Sequence, residues 1–339
     1  MIKDAIKKLA DRGDLSEKEA EQVMVEIMDG GATPSQIAAY LVALRMKGES
    51  VDEIAGSARA MRGRATRIRA ASPLVVDTCG TGGDGAHTFN ISTTAAFVVA
   101  GGGLTVAKHG NRSVSSQSGS ADVLKALGVR IDLPTEKVEE CLNEVGISFL
   151  FAPLFHGAMK HCAGPRQELG IRTLLNILGP LTNPAGAGVQ VLGVYDEILT
   201  ELLARVLVQL GTQHCFIVHG MDGLDEITLT DRTRVSEGKA GVVSTYFVDP
   251  KDFGLTRVRM KDLAGGTAEE NSYFTRDVLL GRGGPKHDVV CLNAAPAFVA
   301  TGKVKTLQEG FALAGQVIKS GAAMEKLERL IEFSNKRIS

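Results

Sequence analysis

The sequence of 339 residues contains no tryptophan, and aromatic residues make up only 5% of it. Such a chain offers few rings on which nucleobases could stack, which argues against a surface for single-stranded nucleic acid. Neither charge sign dominates, because 38 basic residues are set against 39 acidic ones for a net charge of −1. We therefore expect no binding of nucleic acid or of an anionic membrane through a global field, and any bound anion must be held by local groups.

Paired cysteines and long apolar runs are also lacking. The five cysteines lie far apart without a Cys-x-x-Cys pair, so neither a disulfide framework nor a zinc site is indicated. One of the two closest histidine pairs, His156 and His161, is five residues apart, which places the two side chains on different faces of a helix and disfavours a metal site. Residues 95–107 form an apolar stretch too short to cross a bilayer. With an amphipathic N-terminus in place of a signal peptide, these features predict a cytoplasmic protein.

Residues 1–70 are predicted to be helical. Three capping-box signals precede segments with a 3.6-residue apolar period. The capping pairs are Ser16 with Glu19, Thr33 with Gln36, and Ser50 with Glu53. The resulting apolar stripes need a partner surface, which is either the rest of the chain or a second subunit.

The pattern changes after Ser72-Pro73, where apolar runs begin to alternate with helical segments. The predicted strands are residues 74–76, 104–107, 189–194, 215–218, 240–248 and 289–292; the predicted helices are 93–100, 120–127, 135–145, 197–210 and 306–319. This alternation predicts an α/β fold with a mostly parallel central sheet covered by helices. We expect a helical domain at residues 1–72, joined by helices from about residues 165–185, and an α/β domain at residues 73–339.

A glycine-rich loop, residues 77–85, follows the first predicted strand. Its glycines would let backbone N–H groups approach an anion closely. The loop formally matches the dinucleotide motif G-x-G-x-x-G, but its helix opens too late and Lys108 stands where the ribose-binding acid is expected. A phosphate-binding P-loop is excluded because no Gly-Lys-Ser/Thr follows. Asp84 would repel a phosphate, so it must face sugar hydroxyls or act through a metal.

A second loop, residues 108–120, follows the next predicted strand. It contains Lys108, Arg112 and several serines but no acid. It could be an ordinary solvated loop, but its composition favours a binding shell for a polyphosphate.

Together these segments resemble the anthranilate phosphoribosyltransferase family of tryptophan biosynthesis. The matching segments are residues 77–84, 90–93, 108–112, 119–122, Arg166, 179–184 and 224–227, in the family's order. The resemblance implies a magnesium-dependent glycosyltransferase that moves the phosphoribosyl group of phosphoribosyl pyrophosphate (PRPP) to the amine of anthranilate and releases pyrophosphate. It also implies a small helical domain, a larger α/β domain that binds PRPP, and a homodimer joined through the helical part.

The resemblance also assigns residue roles. Lys108 and Arg112 would be catalytic, and Gly80, Asn111 and Arg166 would bind anthranilate. PRPP would be bound by Gly80, Gly83, Asp84, Thr88, Asn90, Ile91, Ser92, Thr93, Lys108, His109, Gly110, Asn111, Arg112, Ser113, Val114, Ser115, Ser116 and Ser120. Ser92, Asp225 and Glu226 would hold Mg²⁺. The acid pair could instead be merely solvated, but hard oxygen ligands near a polyphosphate favour magnesium.

Two other interpretations remain open. One is a nucleoside phosphorylase of the related fold, and the other is a nucleic-acid-binding relative that has lost catalysis. The intact Gly-Thr-Gly-Gly-Asp and Lys-His-Gly-Asn-Arg segments argue against the first. The balanced charge and the Asp225-Glu226 pair argue against the second.

Overall fold

The computed structural model describes residues 1–112 and 117–336, so the predicted site residues Ser113, Val114, Ser115 and Ser116 lie outside the described residues. The helices are α1 Ile2–Ala10, α2 Glu17–Met28, α3 Pro34–Lys47, α4 Val51–Arg64, α5 Ile91–Gly101, α6 Ser120–Ala126, α7 Thr135–Glu144, α8 Ala152–Phe155, α9 Lys160–Leu169, α10 Leu174–Leu178, α11 Ile198–Gln209, α12 Ala268–Leu279, α13 Pro285–Ala300, α14 Leu307–Lys319 and α15 Ala322–Asn335. The strands are β1 Val75–Gly80, β2 Thr105–Gly110, β3 Ile147–Phe151, β4 Val189–Gly193, β5 His214–Gly220, β6 Thr233–Lys239 and β7 Val242–Val248.

The N-terminal helices begin where the capping signals predicted. Ser16, Thr33 and Ser50 cap α2, α3 and α4, and in each case the side-chain oxygen three residues later accepts a reciprocal bond from the N–H of the cap residue. Helix α2 packs on α4, and α3 packs on α1 and α9, so their apolar stripes are buried within the same chain. Gly56 permits the close α2–α4 contact, because a Cβ there would lie 2.1 Å from the Glu17 carbonyl oxygen.

The described strands form one sheet in the order β3-β2-β1-β4-β5-β6-β7. The pairs from β3 to β5 are parallel, and β6 and β7 extend that edge in antiparallel fashion. Alternate residues of β5 enter different cores: Phe216 and Val218 lie in one, and Cys215 and Ile217 in the other. The predicted fold class, a helical part plus a mostly parallel sheet with both faces covered, is confirmed.

The two faces of the sheet are covered differently. Helices α5, α12, α13, α14 and α15 contribute to the core on one side. On the other side α11 packs against β5 and β6, and its core continues through α10 into the N-terminal helices. The division of the chain into domains at residue 72 stays a prediction.

The expectation of a strand at residues 289–292 is wrong, because these residues lie inside α13. A four-residue apolar run fits a fully buried helix as well as a strand, and here the helix extends over 16 residues from Pro285. Strands β3 and β6 were not predicted. In the described part of the chain, no helix has the length and apolar character needed to span a bilayer.

Candidate active site

The glycine-rich loop lies directly against the acid pair that follows β5. The Gly82 N–H donates to Asp225 Oδ2 at 2.8 Å. A Cβ on Gly193 at the end of β4 would lie 1.5 Å from the Asp225 carbonyl oxygen, and one on Gly80 at the end of β1 would lie 2.6 Å from Asp225 Oδ2. Glycine at both strand ends is therefore what lets Asp225 lie at the carboxyl edge of the sheet.

Glycine ends most of the parallel strands at this edge. The terminal residues of β1, β2, β4 and β5 are Gly80, Gly110, Gly193 and Gly220. The floor of the candidate site is consequently main chain, with no side chain rising from these four positions.

Three acids gather above this floor. Asp84 Oδ2 accepts a hydrogen bond from the Asp225 N–H at 3.4 Å, and Glu226 Oε1 accepts one from the Ser92 N–H at 3.1 Å. Burial raises the pKa of Asp225 well above its usual range, and the Asp84 and Glu226 carboxylates add to this effect. Burial also raises the pKa of Glu226 to about 7, although the Lys108 ammonium acts in the opposite direction. The positive charge near these carboxylates is therefore too small to compensate their negative charge.

This shortage fits a magnesium ion, because a bound cation would favour the ionised carboxylates. Ser92 and the adjacent Asp225 and Glu226, the ligands proposed from the sequence, lie near one another, with Asp84 beside them. In the described ranges no three acid, His or Cys side chains already converge as a metal cage. Magnesium does not need one, since it is typically held by one or two carboxylates together with substrate phosphates and water.

Lys108 lies beneath the edge of the sheet and is only 4% exposed. Its ammonium group donates to the Thr78 carbonyl and lies near two acids, Asp77 and Glu226. Asp77 is fully buried and accepts from the His109 N–H and from Asn183 Nδ2. Burial raises the pKa of Asp77 to about 6 against the influence of Lys108. The positive charge of Lys108 thus partly compensates the negative charge of the buried acids Asp77 and Glu226, beneath the glycine-rich loop.

The second loop leaves β2 beside the first one. The Asn111 carbonyl oxygen accepts from the Ala121 N–H and from Ser120 Oγ, both at 3.2 Å, which fixes the loop to the start of α6. The Arg112 side chain is 57% exposed, and its guanidinium lies 3.6 Å from Asp122 Oδ1. An exposed cation and a fixed backbone are thereby presented on the same edge as the glycine-rich loop.

The segment that begins α5 contributes main chain more than side chains. Helix α5 starts at Ile91 with Asn90 as its N-cap, two residues before the start predicted from the sequence. The Ile91 and Thr93 side chains are buried, so only their N–H groups can face a ligand. Thr88 forms a bridge to Ala264, and Gly83 accepts a hydrogen bond through its carbonyl from Arg172.

Arg166 stands apart from the other predicted anthranilate-binding residues. It lies in α9, half-buried near Cys162, and burial lowers its pKa. No hydrogen bond or ion pair joins its guanidinium to another described residue, so neither Gly80 nor Asn111 is in direct polar contact with it.

Three residues of this region were given no role in the site by the sequence. His156 Nε2 lies 3.2 Å from His109 Nε2, Arg172 lies 4.1 Å from the Tyr195 ring centroid, and Asn271 Nδ2 donates to Asn90 Oδ1 at 3.0 Å. Burial lowers the pKa of His109 to about 3 and that of His156 to about 4. Sequence spacing could not predict these contacts, because the fold brings together residues that are far apart in the sequence. Asn271, for example, is 181 positions from Asn90.

Comparison with known proteins identifies similar chains. Residues 72–324 match the α/β domain of a glycosyl transferase family, and residues 3–65 match its helical bundle domain. The chain is 58% identical over 335 residues to an anthranilate phosphoribosyltransferase from Desulfosudis oleivorans, with 98% of this chain and 99% of the relative covered.

Two solved structures extend the comparison. The anthranilate phosphoribosyltransferase of Thermus thermophilus has a TM-score of 0.93 at 46% identity, covering 98% of this chain and 99% of that one. The Saccharomyces cerevisiae enzyme in complex with PRPP and Mg has a TM-score of 0.89 at 30% identity, covering 99% and 98%.

Proposed function

The chain belongs to the glycosyl transferase family that includes the anthranilate phosphoribosyltransferases, and on this basis we propose that it transfers the phosphoribosyl group of PRPP to the amine of anthranilate. One observation supports this most directly: the glycine-rich loop and the second loop leave the adjacent parallel strands β1 and β2, and the first of them, together with the start of α5, contacts a buried acid pair. This edge of a parallel sheet is where such folds bind ligands.

The chemistry makes modest demands on proton transfer. The amine nitrogen forms a bond to the anomeric carbon while the bond from that carbon to pyrophosphate oxygen breaks, and the nitrogen then releases a proton to solvent. An aryl amine has a free lone pair at neutral pH, so no strong base is required. The chain must instead stabilise the charge that grows on the departing pyrophosphate.

The proposed role of each residue follows from its position in the site. Arg112 and the N–H groups of both loops would face the diphosphate, while Lys108 compensates the acids behind it. Asp225 and Glu226, with Ser92, would hold Mg²⁺, and the metal when bound neutralises part of the diphosphate charge. The remaining PRPP contacts proposed from the sequence are main-chain groups at the start of α5 and side chains of the second loop.

The direct test is conversion of anthranilate by the purified protein. With PRPP and Mg²⁺ we expect anthranilate fluorescence to disappear and pyrophosphate to form in equal amounts, and we expect chelation of Mg²⁺ to stop both. Incubation with thymidine and phosphate tests the nucleoside phosphorylase alternative. Conversion in that arm, with none in the first, would refute the proposal.

Arg166 is proposed to bind the anthranilate carboxylate, because its half-buried guanidinium has no partner among the described residues. Arg166→Ala should raise the anthranilate KM about tenfold, the equivalent of about 1.4 kcal/mol, and leave the PRPP KM unchanged. Arg205→Ala, which removes a surface pair with Glu201, is the matched control. An unchanged anthranilate KM would contradict the assignment.

We also propose a homodimer joined through the helical part. The predicted apolar stripes of α2 and α3 are buried within the chain and no longer support it. Exposed methionines support the dimer instead: Met46 at the end of α3 is 71% exposed, and Met1 is 56% exposed. Light scattering should give twice the chain mass, and Met46→Glu should shift the equilibrium toward monomer; a monomer at all concentrations would exclude the dimer.

A cytoplasmic location and the absence of nucleic-acid binding are the remaining proposals. The five cysteines are free and buried, as suits a reducing compartment. Cell fractionation tests the first proposal, and a salt-dependent DNA mobility shift would refute the second.

A further inference from the structure

A segment near the C-terminal side of the chain packs on the residues that connect the glycine-rich loop to α5. Residues 263–266 run beside this connection: the Phe89 N–H donates to the Leu263 carbonyl at 3.3 Å, and the Gly265 N–H donates to the His87 carbonyl at 2.9 Å. A Cβ on Gly265 would lie 2.6 Å from the Phe89 nitrogen, so the two backbones are in direct contact. The segment leads immediately into α12.

Asn271, in the first turns of α12, continues this contact with side-chain hydrogen bonds. It is 2% exposed. Its Oδ1 accepts from the Gly266 N–H at 2.8 Å, and its Nδ2 donates to Asn90 Oδ1 at 3.0 Å. Asn90 Nδ2 in turn donates to the Ser118 carbonyl at 3.2 Å. This series of hydrogen bonds therefore starts beside the residues that follow the glycine-rich loop and ends at Ser118 in the second loop.

The orientation of both side-chain amides in this series of hydrogen bonds is fixed by the backbone groups at its two ends. A backbone N–H can only donate, so the Asn271 atom facing Gly266 must be oxygen and its other atom must be the NH₂ group. That NH₂ group requires an oxygen on Asn90, which turns the Asn90 NH₂ group toward Ser118. The Ser118 carbonyl can only accept, so the last bond agrees with the first.

We infer that Asn271 is a positioning residue for PRPP: it orients the Asn90 amide so that Asn90 holds the main chain at Ser118, in the second loop, at a fixed distance from the residues that follow the glycine-rich loop. Asn271 makes its contacts through Asn90 and not with the reacting atoms. The inference rests on the proposed function, because it assumes that both loops bind the same ligand. A diphosphate sugar that spans two loops is bound best when the loops are already correctly spaced.

An isosteric substitution tests the direction of the amides. In Asn271→Asp, one carboxylate oxygen still accepts from Gly266 but the other now repels Asn90 Oδ1. Asn90 must rotate, which turns its oxygen against the Ser118 carbonyl and breaks the link between the loops. We expect PRPP affinity, measured by titration calorimetry with Mg²⁺ at about pH 8, to fall about tenfold.

Lowering the pH should reverse this loss. A carboxyl buried at this position has a raised pKa, and its protonated form again presents a donor to Asn90. The ratio of variant to wild-type PRPP affinity should therefore recover between about pH 8 and about pH 5.5. Asn335→Asp, the same change in the exposed last turn of α15, is the control and should show a ratio near one throughout.

A double-mutant cycle provides an independent readout if Asn271→Asp does not fold. If Asn271 acts through Asn90, Asn271→Ala should weaken PRPP binding in the wild type and add little in an Asn90→Ala background. Additive effects, or wild-type PRPP affinity in both Asn271 variants, would overturn the inference. Failure of the wild-type protein to convert anthranilate would instead refute the proposed function, since PRPP binding is measured separately.

Discussion

Lys108 and Arg112 carry the same charge and lie four residues apart, but the fold gives them different surroundings. Lys108 is buried against the Thr78 carbonyl and near Asp77 and Glu226. Arg112 is largely exposed beside Asp122. We expect the two cations to contribute similarly to turnover, but we expect Lys108 to contribute more than Arg112 to the free energy of unfolding.

Paired substitutions to methionine, which keep most of the apolar stem, separate these contributions. Lys108→Met should lower turnover about 10²-fold and lower the free energy of unfolding by roughly 1–3 kcal/mol, because it leaves buried acceptors unpaired. Arg112→Met should lower turnover similarly but change stability by less than about 0.5 kcal/mol. Initial rates and urea unfolding give both quantities, and normal turnover in both variants would exclude the catalytic role.

The His109–His156 pair makes stability depend on pH. Burial holds the pKa of His109 at about 3 and that of His156 at about 4, below the value near 6.5 of an exposed histidine. Between these values the unfolded chain binds protons that the native pair does not. The stabilisation is thus complete above about pH 6.5 and is lost as the pH falls toward about 4.

Each histidine contributes a slope of at most about 1.4 kcal/mol per pH unit in this window. Replacing one member by the neutral amide in His156→Gln should therefore flatten the pH dependence of the unfolding free energy. Urea unfolding of both proteins at a series of pH values measures the slopes. Identical slopes would show that the pair does not titrate as described.

At the scale of elements, the end of β4 is the most constrained point of the site. Gly193→Ala would force the Asp225 backbone away from the sheet edge. A displacement on the order of 1 Å at a catalytic group lowers turnover by about 10²-fold, and we expect that loss here. Gly63→Ala in α4, where an added Cβ meets nothing within 4 Å, is the control and should stabilise the helix by about 0.5–1 kcal/mol. Turnover rates and thermal unfolding of both variants test these two expectations.

Local signals in the sequence were sufficient for elements whose ends are set by nearby residues. Helices α2, α3 and α4 begin at the predicted caps because the capping box is made within four residues. Residues 289–292 were assigned to a strand because burial on all sides removes the periodicity that would have revealed α13. Strand β6, which contains Arg234, Glu237 and Lys239, lacked an apolar run and depends on its pairing with β5 and β7.

The same distinction applies to the candidate site. The glycine-rich loop, the second loop and the acid pair were found because each is a compact segment of unusual composition. Asn271, His156 and Arg172 were not found, because their partners come from other elements. A sequence identifies segments that bind ligands more readily than the single residues that hold those segments in place.

At the scale of the whole molecule, the N-terminal helices share one core with a face of the sheet. Arg62 of α4 reinforces this junction: its half-buried guanidinium donates to the Leu181 carbonyl at 2.7 Å and to the Leu210 carbonyl at 3.4 Å. A shared core couples the unfolding of the two parts.

Calorimetry of the wild-type protein should accordingly give one unfolding transition, not separate ones for the helical part and the sheet. Arg62→Met should lower the unfolding free energy by roughly 1–3 kcal/mol, because two partly buried carbonyls lose their donor. Its transition should move to lower temperature and stay single. Two resolved transitions in the wild type would contradict the coupling.

The row of glycines at the ends of β1, β2, β4 and β5 also limits how this enzyme can change. A floor built of main chain carries no side chain that selection or engineering could exchange to alter substrate preference. A change of acceptor specificity would therefore have to come from residues of the surrounding loops and helices.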